Sequence, residues 1–127
     1  MVGQDKEVYL YVAEDATYGV GRQRCFKASD FIGCAATGTG TTAFHFKELD
    51  TWDSNDAYDS FTLAHTDDAQ VEVIQTILGL MSNPHGGYVV IHDFGAGTSI
   101  EHLIPPIKST GTKVTFTGAP VIVSTEA

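Results

Sequence analysis

Residues 60–93 decide the fold class, and their sequence is SFTLAHTDDAQVEVIQTILGLMSNPHGGYVVIHD. Alternating residues at 60–65 predict a strand with Phe61 and Leu63 facing inward. A helical repeat of apolar residues follows over 66–82, and the continuous apolar run 88–91 predicts a central strand buried on both faces. The order strand, helix, strand has the length of a βαβ unit, which predicts a right-handed crossover connection.

The segment 66–82 is predicted to be the helix. Thr66 is placed to cap its amino end, and Asp67 and Asp68 suit the positive end of the helix dipole. Gly79 would cost about 1 kcal/mol relative to alanine inside a helix, which suggests that the helix closely approaches a sheet there. The stripe predicted to be buried is Val71, Ile74, Leu78 and Met81, widened by Val73, Ile77 and Leu80.

Further strands are predicted on both sides of this segment, at 8–12, 22–31, 41–49, 100–104, 114–117 and 121–123. Ser29-Asp30 indicates a bend or a short helical turn. The glycine-rich stretches 33–40 and 94–99 and the acidic stretch 50–59 are predicted loops. The predicted fold class is therefore α+β: a mostly antiparallel β-sheet of about seven strands with one helix (66–82) in a strand–helix–strand crossover, all within a single domain of residues 1–127.

Composition argues against several classes of partner. The chain has 127 residues and a formal net charge of −9, so it repels phosphate backbones and no nucleic-acid partner is expected. No stretch approaches 18 consecutive apolar residues, so no membrane partner is expected. Only 18% of the residues are charged, against about 25% in typical domains, which leaves an uncharged surface of the kind that meets other proteins.

The two cysteines and the few basic residues form no recognisable site. Cys25 and Cys34 lie outside any C-x-x-C pair and are interpreted as small core residues. Arg22, Arg24 and Lys27 form a loose cluster, interpreted as the polar face of one strand rather than a phosphate site.

One acidic motif and one glycine-rich motif resemble binding sites, but neither has the residue spacing that such a site requires. Asp53, Asn55, Asp56 and Asp59 offer oxygen ligands, but counting from Asp53 puts Tyr58 and Ala64 where an EF-hand loop needs glycine and glutamate. The loop is therefore interpreted as solvated, and no metal is expected.

The second motif is the glycine stretch GAGTS at 95–99, which follows a predicted strand as a dinucleotide fingerprint does. The third glycine of that fingerprint would fall at Ile100, and Pro105 leaves no room for the binding helix. The triplet Asp93-Phe94-Gly95 matches a kinase motif by chance alone. No cofactor is expected.

The histidines are His45, His65, His85, His92 and His102, and none forms an H-x-H or H-x-x-x-H pair. His92, at the end of a predicted central strand, is the best catalytic candidate. Its neighbour Asp93 would point to the opposite face, so a His–carboxylate dyad would require the fold to bring Glu101 or another acid close. No nucleophile motif is present, and the protein is predicted not to be an enzyme. The alternative is a small α+β ligand-binding domain or enzyme with a pocket near His92, Gly95 and His102.

Two sequence segments resemble small virion or structural proteins of marine tailed phages. They are FKASDFIG at 26–33 and the spaced pattern T-x4-V-x2-I-x2-I at 66–77 followed by NPHGGYVVI at 83–91, and the likeness covers about a third of the chain. The resemblance implies a non-enzymatic structural protein, such as a capsid decoration subunit, that self-assembles or attaches to a protein shell. It implies a place in the virion after assembly in the host cytoplasm; outside a viral setting, a cytoplasmic protein is expected.

The strand count itself predicts a homo-oligomer. One helix cannot cover a sheet of about seven strands, and open sheet edges invite pairing with another chain. The apolar strand 121–123 is expected to pair with its own sheet or with a neighbour's. The expected partners are other copies of the chain and capsid protein.

Overall fold

Two four-stranded sheets and one helix make up residues 6–14, 23–47, 59–83 and 86–123, which are the residues that the computed structural model describes. The elements are β1 (Val8–Ala13), β2 (Gln23–Lys27), β3 (Phe31–Gly38), β4 (Thr41–Phe46), β5 (Asp59–Ala64), α1 (Gln70–Met81), β6 (Gly87–Asp93), β7 (Thr98–Ser99) and β8 (Val121–Val123). The first sheet has the order β2-β1-β6-β7, and the second has the order β3-β4-β5-β8. Short 3₁₀ turns lie at Ala28–Asp30 and Glu101–Leu103.

The strand pairing confirms the α+β class and corrects its topology. All pairs are antiparallel except β1 with β6. The strands form two sheets rather than one, and β5 and β6 belong to different sheets. The helix α1 therefore connects the two sheets instead of crossing over within one. It contacts β1 of the first sheet and β4 of the second.

Phenylalanine side chains join the inner faces of the two sheets. Phe26 on β2 lies with its ring centroid 4.9 Å from that of Phe46 and 5.1 Å from that of Phe61. Phe44 and Phe61 stack at 5.2 Å within the second sheet. Because one cluster of buried side chains includes residues of both sheets and of α1, the three elements share a common core.

A buried ion pair also connects the sheets. Arg24 on β2 is bonded to Asp59 on β5, with side-chain exposures of 10% and 0%. The Arg24 guanidinium also lies 4.5 Å from the centroid of the Phe26 ring, at cation–π distance. Arg24 thus points inward, and its assignment to a polar strand face was wrong. Asp59 was likewise wrongly assigned to a solvated loop, because Arg24 draws its carboxylate into the core.

The stretch 33–40, predicted to be a loop, forms most of β3 and its turn. β3 pairs with β4 along its length, with register shifts after Phe31 and after Ala36. Pairing with a strong neighbouring strand overrides the weak strand propensity of glycine and alanine. Thr39 and Gly40 form the tight turn to β4, and a Cβ at Gly40 would lie 2.9 Å from the carbonyl oxygen of His65.

The helix begins four residues later than predicted. Asp68 has φ = 65°, which breaks a right-handed helix, and its amide donates to the Thr39 carbonyl. Thr66 lies too far before Gln70 to cap the helix, and its hydroxyl instead accepts from the Thr115 amide at 2.9 Å. Ala69 occupies the cap position. The end of the helix was predicted within one residue.

The buried face of α1 is rotated from the predicted stripe. Val73 and Ile77 are fully buried, whereas Val71 is 60% exposed and Leu78 is 38% exposed. The apolar residues span about half of the helix circumference at 100° per residue, so periodicity alone could not locate the centre of the buried arc. Gly79 is exposed and a Cβ there would touch nothing, so the predicted close approach was wrong.

Other strand predictions had mixed outcomes. Strands at 8–12, 41–49, 60–65 and 121–123 are confirmed as β1, β4, β5 and β8, although 48–50 lie outside the described residues. The strand predicted at 22–31 ends at Lys27, and the short helical turn expected at Ser29-Asp30 follows it. The strand predicted at 100–104 is a 3₁₀ turn, and that at 114–117 makes one isolated bridge, between Phe116 and His65.

We predict that Ile77→Ala lowers the free energy of unfolding by about 2–5 kcal/mol, because it leaves a cavity beneath α1. Val71→Ala, on the exposed side of the same helix, should change it by less than about 0.5 kcal/mol. Urea denaturation of both variants measures the difference. Equal losses would place the buried face of α1 elsewhere.

We also predict that Arg24→Met destabilises the protein by about 3–5 kcal/mol, because the Asp59 carboxylate is left buried without its cation. The double variant Arg24→Met/Asp59→Leu should regain part of this loss, since it removes both charges. Chemical denaturation of the wild type, Arg24→Met, Asp59→Leu and the double variant gives the coupling energy between the two side chains. Additive losses would show that the ion pair does not connect the sheets energetically.

Candidate interaction surface and buried histidines

The outer face of the first sheet carries three tyrosines. Strand alternation sends Val8, Leu10 and Val12 of β1 into the core and leaves Tyr9 and Tyr11 on the opposite face. Cross-strand pairing builds two rows there. One row is Lys27, Tyr9 and Tyr88, and the other is Cys25, Tyr11 and Val90. We call these six residues the tyrosine face.

The tyrosine face combines exposed aromatic area with polar groups. Tyr9 is 43% exposed and Tyr88 is 60% exposed. The rings of Tyr11 and Tyr88 lie 5.9 Å apart, and the Tyr11 hydroxyl donates to Gln23 Oε1 at 2.8 Å. Tyrosine with an apolar ring and a polar tip is enriched at protein interfaces. β6 was predicted to be buried on both faces, and the exposure of Tyr88 shows that one face is open.

The tyrosine face was missed in the sequence, although a signal was present. The run Val8-Tyr9-Leu10-Tyr11-Val12 is apolar or aromatic at every position, whereas a strand with one wet face normally alternates with polar residues. Such a strand is either buried on both sides or offers a second apolar face to a partner. Only the tertiary structure distinguishes these cases.

His92, the best catalytic candidate, is buried at the end of β6. Its ring lies 4.6 Å from the Phe116 ring and 5.9 Å from the Phe94 ring, and its Nδ1 is buried without a hydrogen-bond partner among the described residues. Burial lowers the pKa of His92, while the charges of Glu101 and Asp93 act in the opposite direction. His92 is therefore held mainly as the neutral imidazole at neutral pH.

The fold does bring Glu101 into the electrostatic environment of His92, as a dyad would require. The Glu101 carboxylate is engaged elsewhere, however, because its Oε2 accepts the amide of Phe116 at 2.6 Å. Gly95 and His102 are exposed. The two cavities described below are lined by other residues.

His65 is a satisfied core histidine. It is 1% exposed, and its Nδ1 lies 2.8 Å from the Thr66 carbonyl oxygen, which can only accept, so Nδ1 carries the proton. Its Nε2 and the Thr42 hydroxyl lie at hydrogen-bond distance, 2.9 Å. The His65 ring thus ties β4 to the segment after β5.

An open groove of about 760 Å³ lies beside His65. Its lining is rich in hydroxyl and backbone groups: Gly38, Thr39, Gly40, Thr41, Ala64, His65, Thr66, Asp67 and Thr117. Several of these groups already bond within the fold, including the carbonyls of Gly38 and Thr39, which accept from the side-chain Nε2 of Gln70. The groove offers shallow polar contacts and no aromatic platform.

A smaller cavity of about 220 Å³ is bordered by Glu7, Ser29 and Met81. Burial acts to raise the pKa of Glu7, but hydrogen bonds from the Ser29 hydroxyl, the Ser29 amide and the Val8 amide lower it by more. The carboxylate is thus used to hold the start of β1 against the 3₁₀ turn after β2.

The remaining candidate groups are separated. Asp53, Asn55, Asp56 and His85 lie outside the described residues, and within those residues no three His, Cys, Asp or Glu side chains come together as a metal site. Cys25 is exposed rather than in the core, and partial burial raises the pKa of its thiol, which disfavours the reactive thiolate. Cys34 is half-buried against the core.

In the described part of the chain, no helix has the length and apolar character needed to cross a bilayer.

Comparison with known proteins adds no relative. No family model, no curated protein and no solved structure matches this chain.

We predict that His92 makes stability fall as the pH decreases. Its pKa is lowered on folding, so the unfolded chain takes up the proton more readily. The stabilisation is then present above the unfolded value of about 6.5 and is lost as the pH falls through the folded pKa. Urea unfolding of the wild type and of His92→Phe across this range isolates the contribution, since carboxylates titrate in both. Parallel pH profiles would contradict the prediction.

Proposed function

We propose that this protein is a non-enzymatic structural subunit that works by binding other protein through its tyrosine face. The observation that carries the proposal is the exposure of Tyr9 and Tyr88 side by side on an outer sheet face. Adjacent exposed aromatic side chains cost hydration free energy in an isolated chain and are stabilised when a partner covers them.

The charges of the face support a protein partner. Of its six residues only Lys27 is charged, on a chain whose formal net charge is −9. Charged residues are depleted and tyrosine is enriched at the centres of protein interfaces. Tyrosine also anchors interfaces at low cost in side-chain entropy, because it has two χ angles.

The resemblance to small structural proteins of marine tailed phages suggests the setting. A capsid decoration subunit needs a rigid fold and an adhesive surface, and it needs no catalytic site. The shared core of the two sheets supplies the rigidity, and the tyrosine face supplies the surface. We therefore propose attachment to a protein shell, with the virion as the place of function.

A second candidate is a small ligand-binding or enzymatic domain centred on His92. Its support is the buried Nδ1 that lacks a partner among the described residues, close to the charge of Glu101. A simple experiment distinguishes the two candidate functions. A monomer that binds a metabolite and shifts the His92 imidazole signals in NMR favours the second, whereas co-sedimentation with capsid shells favours the first.

We predict that the double variant Tyr9→Ser/Tyr88→Ser loses at least about tenfold in affinity for capsid shells, which corresponds to about 1.4 kcal/mol. Two exposed aromatic anchors would then be missing from the interface. Co-sedimentation of labelled protein with purified shells measures the loss.

The matched control is Phe94→Ser. Phe94 is 49% exposed, comparable to Tyr9, but lies in the turn between β6 and β7, outside the tyrosine face. This variant should bind like the wild type. If the Tyr9→Ser/Tyr88→Ser variant binds shells as well as Phe94→Ser does, or if the wild type does not bind shells, the tyrosine face is not the binding surface.

A further inference from the structure

The edge strand β3 is long and uncharged, and its two register shifts leave residues 33–36 in regular register between them. Among the described strands it pairs only with β4, so its other side is a sheet edge. Its sequence, FIGCAATG, has no charged residue and no proline over eight residues. Natural sheets usually protect such an edge with lysine, proline or a short strand, because an open edge is a template for another strand.

The other three sheet edges are protected by these means. β2 carries the charges of Arg24 and Lys27. β7 is two residues long, and β8 is three. The amide of Ile122 on β8 also donates to Glu14 Oε2 at 2.7 Å. Of the four edges in the described residues, β3 alone is both long and free of charge.

β3 is held extended at both ends, and its exposed side chains other than Ile32 are small. Before the strand, the Lys47 amide donates to the Asp30 carbonyl at 2.9 Å. After it, the Gln70 side-chain Nε2 donates to the backbone carbonyls of Gly38 and Thr39. Ala35 and Ala36 between these ends are exposed. A second backbone can therefore approach closely, at little further cost in conformational entropy.

We propose that β3 pairs antiparallel with β3 of a second copy of this chain, which joins the two second sheets into one sheet of eight strands. The uncharged sequence of β3 favours this occupant. An uncharged strand matches another uncharged strand, and pairing two copies of β3 opposes no carboxylates even though each chain has a formal net charge of −9. Two identical antiparallel strands are related by a two-fold axis, so the contact closes as a dimer.

The inference rests on the proposed function and specifies how copies join. The tyrosine face belongs to the other sheet, so a β3 dimer presents two such faces to one shell. Two linked binding faces raise the effective affinity for a repetitive surface without any new contact. Dimerisation and shell binding thus use separate surfaces and can be tested separately.

The test uses charges of opposite sign at Ala35, near the middle of the strand. Ala35→Lys and Ala35→Glu should each be monomeric in sedimentation at concentrations where the wild type is dimeric, because like charges would face each other across the pair. An equal mixture of the two variants should restore a heterodimer. The control Ala119→Lys makes the same change at an exposed position outside any strand and should leave the dimer intact.

Hydrogen exchange of the wild type gives a readout that requires no substitution. The β3 amides should exchange more slowly as protein concentration rises, whereas exposed turn amides should not change. A wild type that stays monomeric, or Ala35→Lys and Ala35→Glu that both dimerise, would overturn the β3 pairing. A wild type that is monomeric but binds shells would contradict the β3 pairing and support the proposed function. A β3 dimer that does not bind shells would support the pairing and contradict the proposed function.

Discussion

The structure depends on the contact of Phe26 with Phe46 and Phe61. The described strands of the two sheets share no backbone pairing, so side chains alone hold the sheets face to face. Each aromatic pair contributes about 0.5–1.5 kcal/mol beyond the burial of its area. Arg24 extends the same contact, because it covers the Phe26 ring and reaches Asp59 on the opposite sheet. These rings and this ion pair, together with the packing of α1 on both sheets, set the relative position of the sheets.

This way of joining the sheets leaves their outer surfaces available. The helix α1 contacts both β1 and β4 and buries Val73 and Ile77 in the shared core. In the described part of the molecule there is no second helix to cover the outer face of the first sheet. Tyr9 and Tyr88 stay exposed as a consequence of topology. The adhesive role proposed for this face rests on that exposure.

The two buried histidines, His65 and His92, differ in the hydrogen bonds that their surroundings provide. His65 has a protein partner on each ring nitrogen and behaves as part of the core. His92 is similarly buried, but its Nδ1 lacks a partner among the described residues, and burial lowers its pKa. No local motif distinguishes them in the sequence. The partners of His65 are the carbonyl of its neighbour Thr66 and the hydroxyl of Thr42 on β4, which is distant in sequence.

The sequence alone determined which segments are strands and helix wherever the periodicity is strong, as in β1, β4, β5 and α1, because the apolar repeat and local sterics are properties of neighbouring residues. It also predicted a mostly antiparallel α+β fold. Only the tertiary structure decided that the strands form two sheets, that β3 is a strand, that Asp59 is buried and that Tyr88 is exposed. Each of these depends on pairing and packing between residues far apart in the chain, and local pattern carries no information about which distant partner will be met.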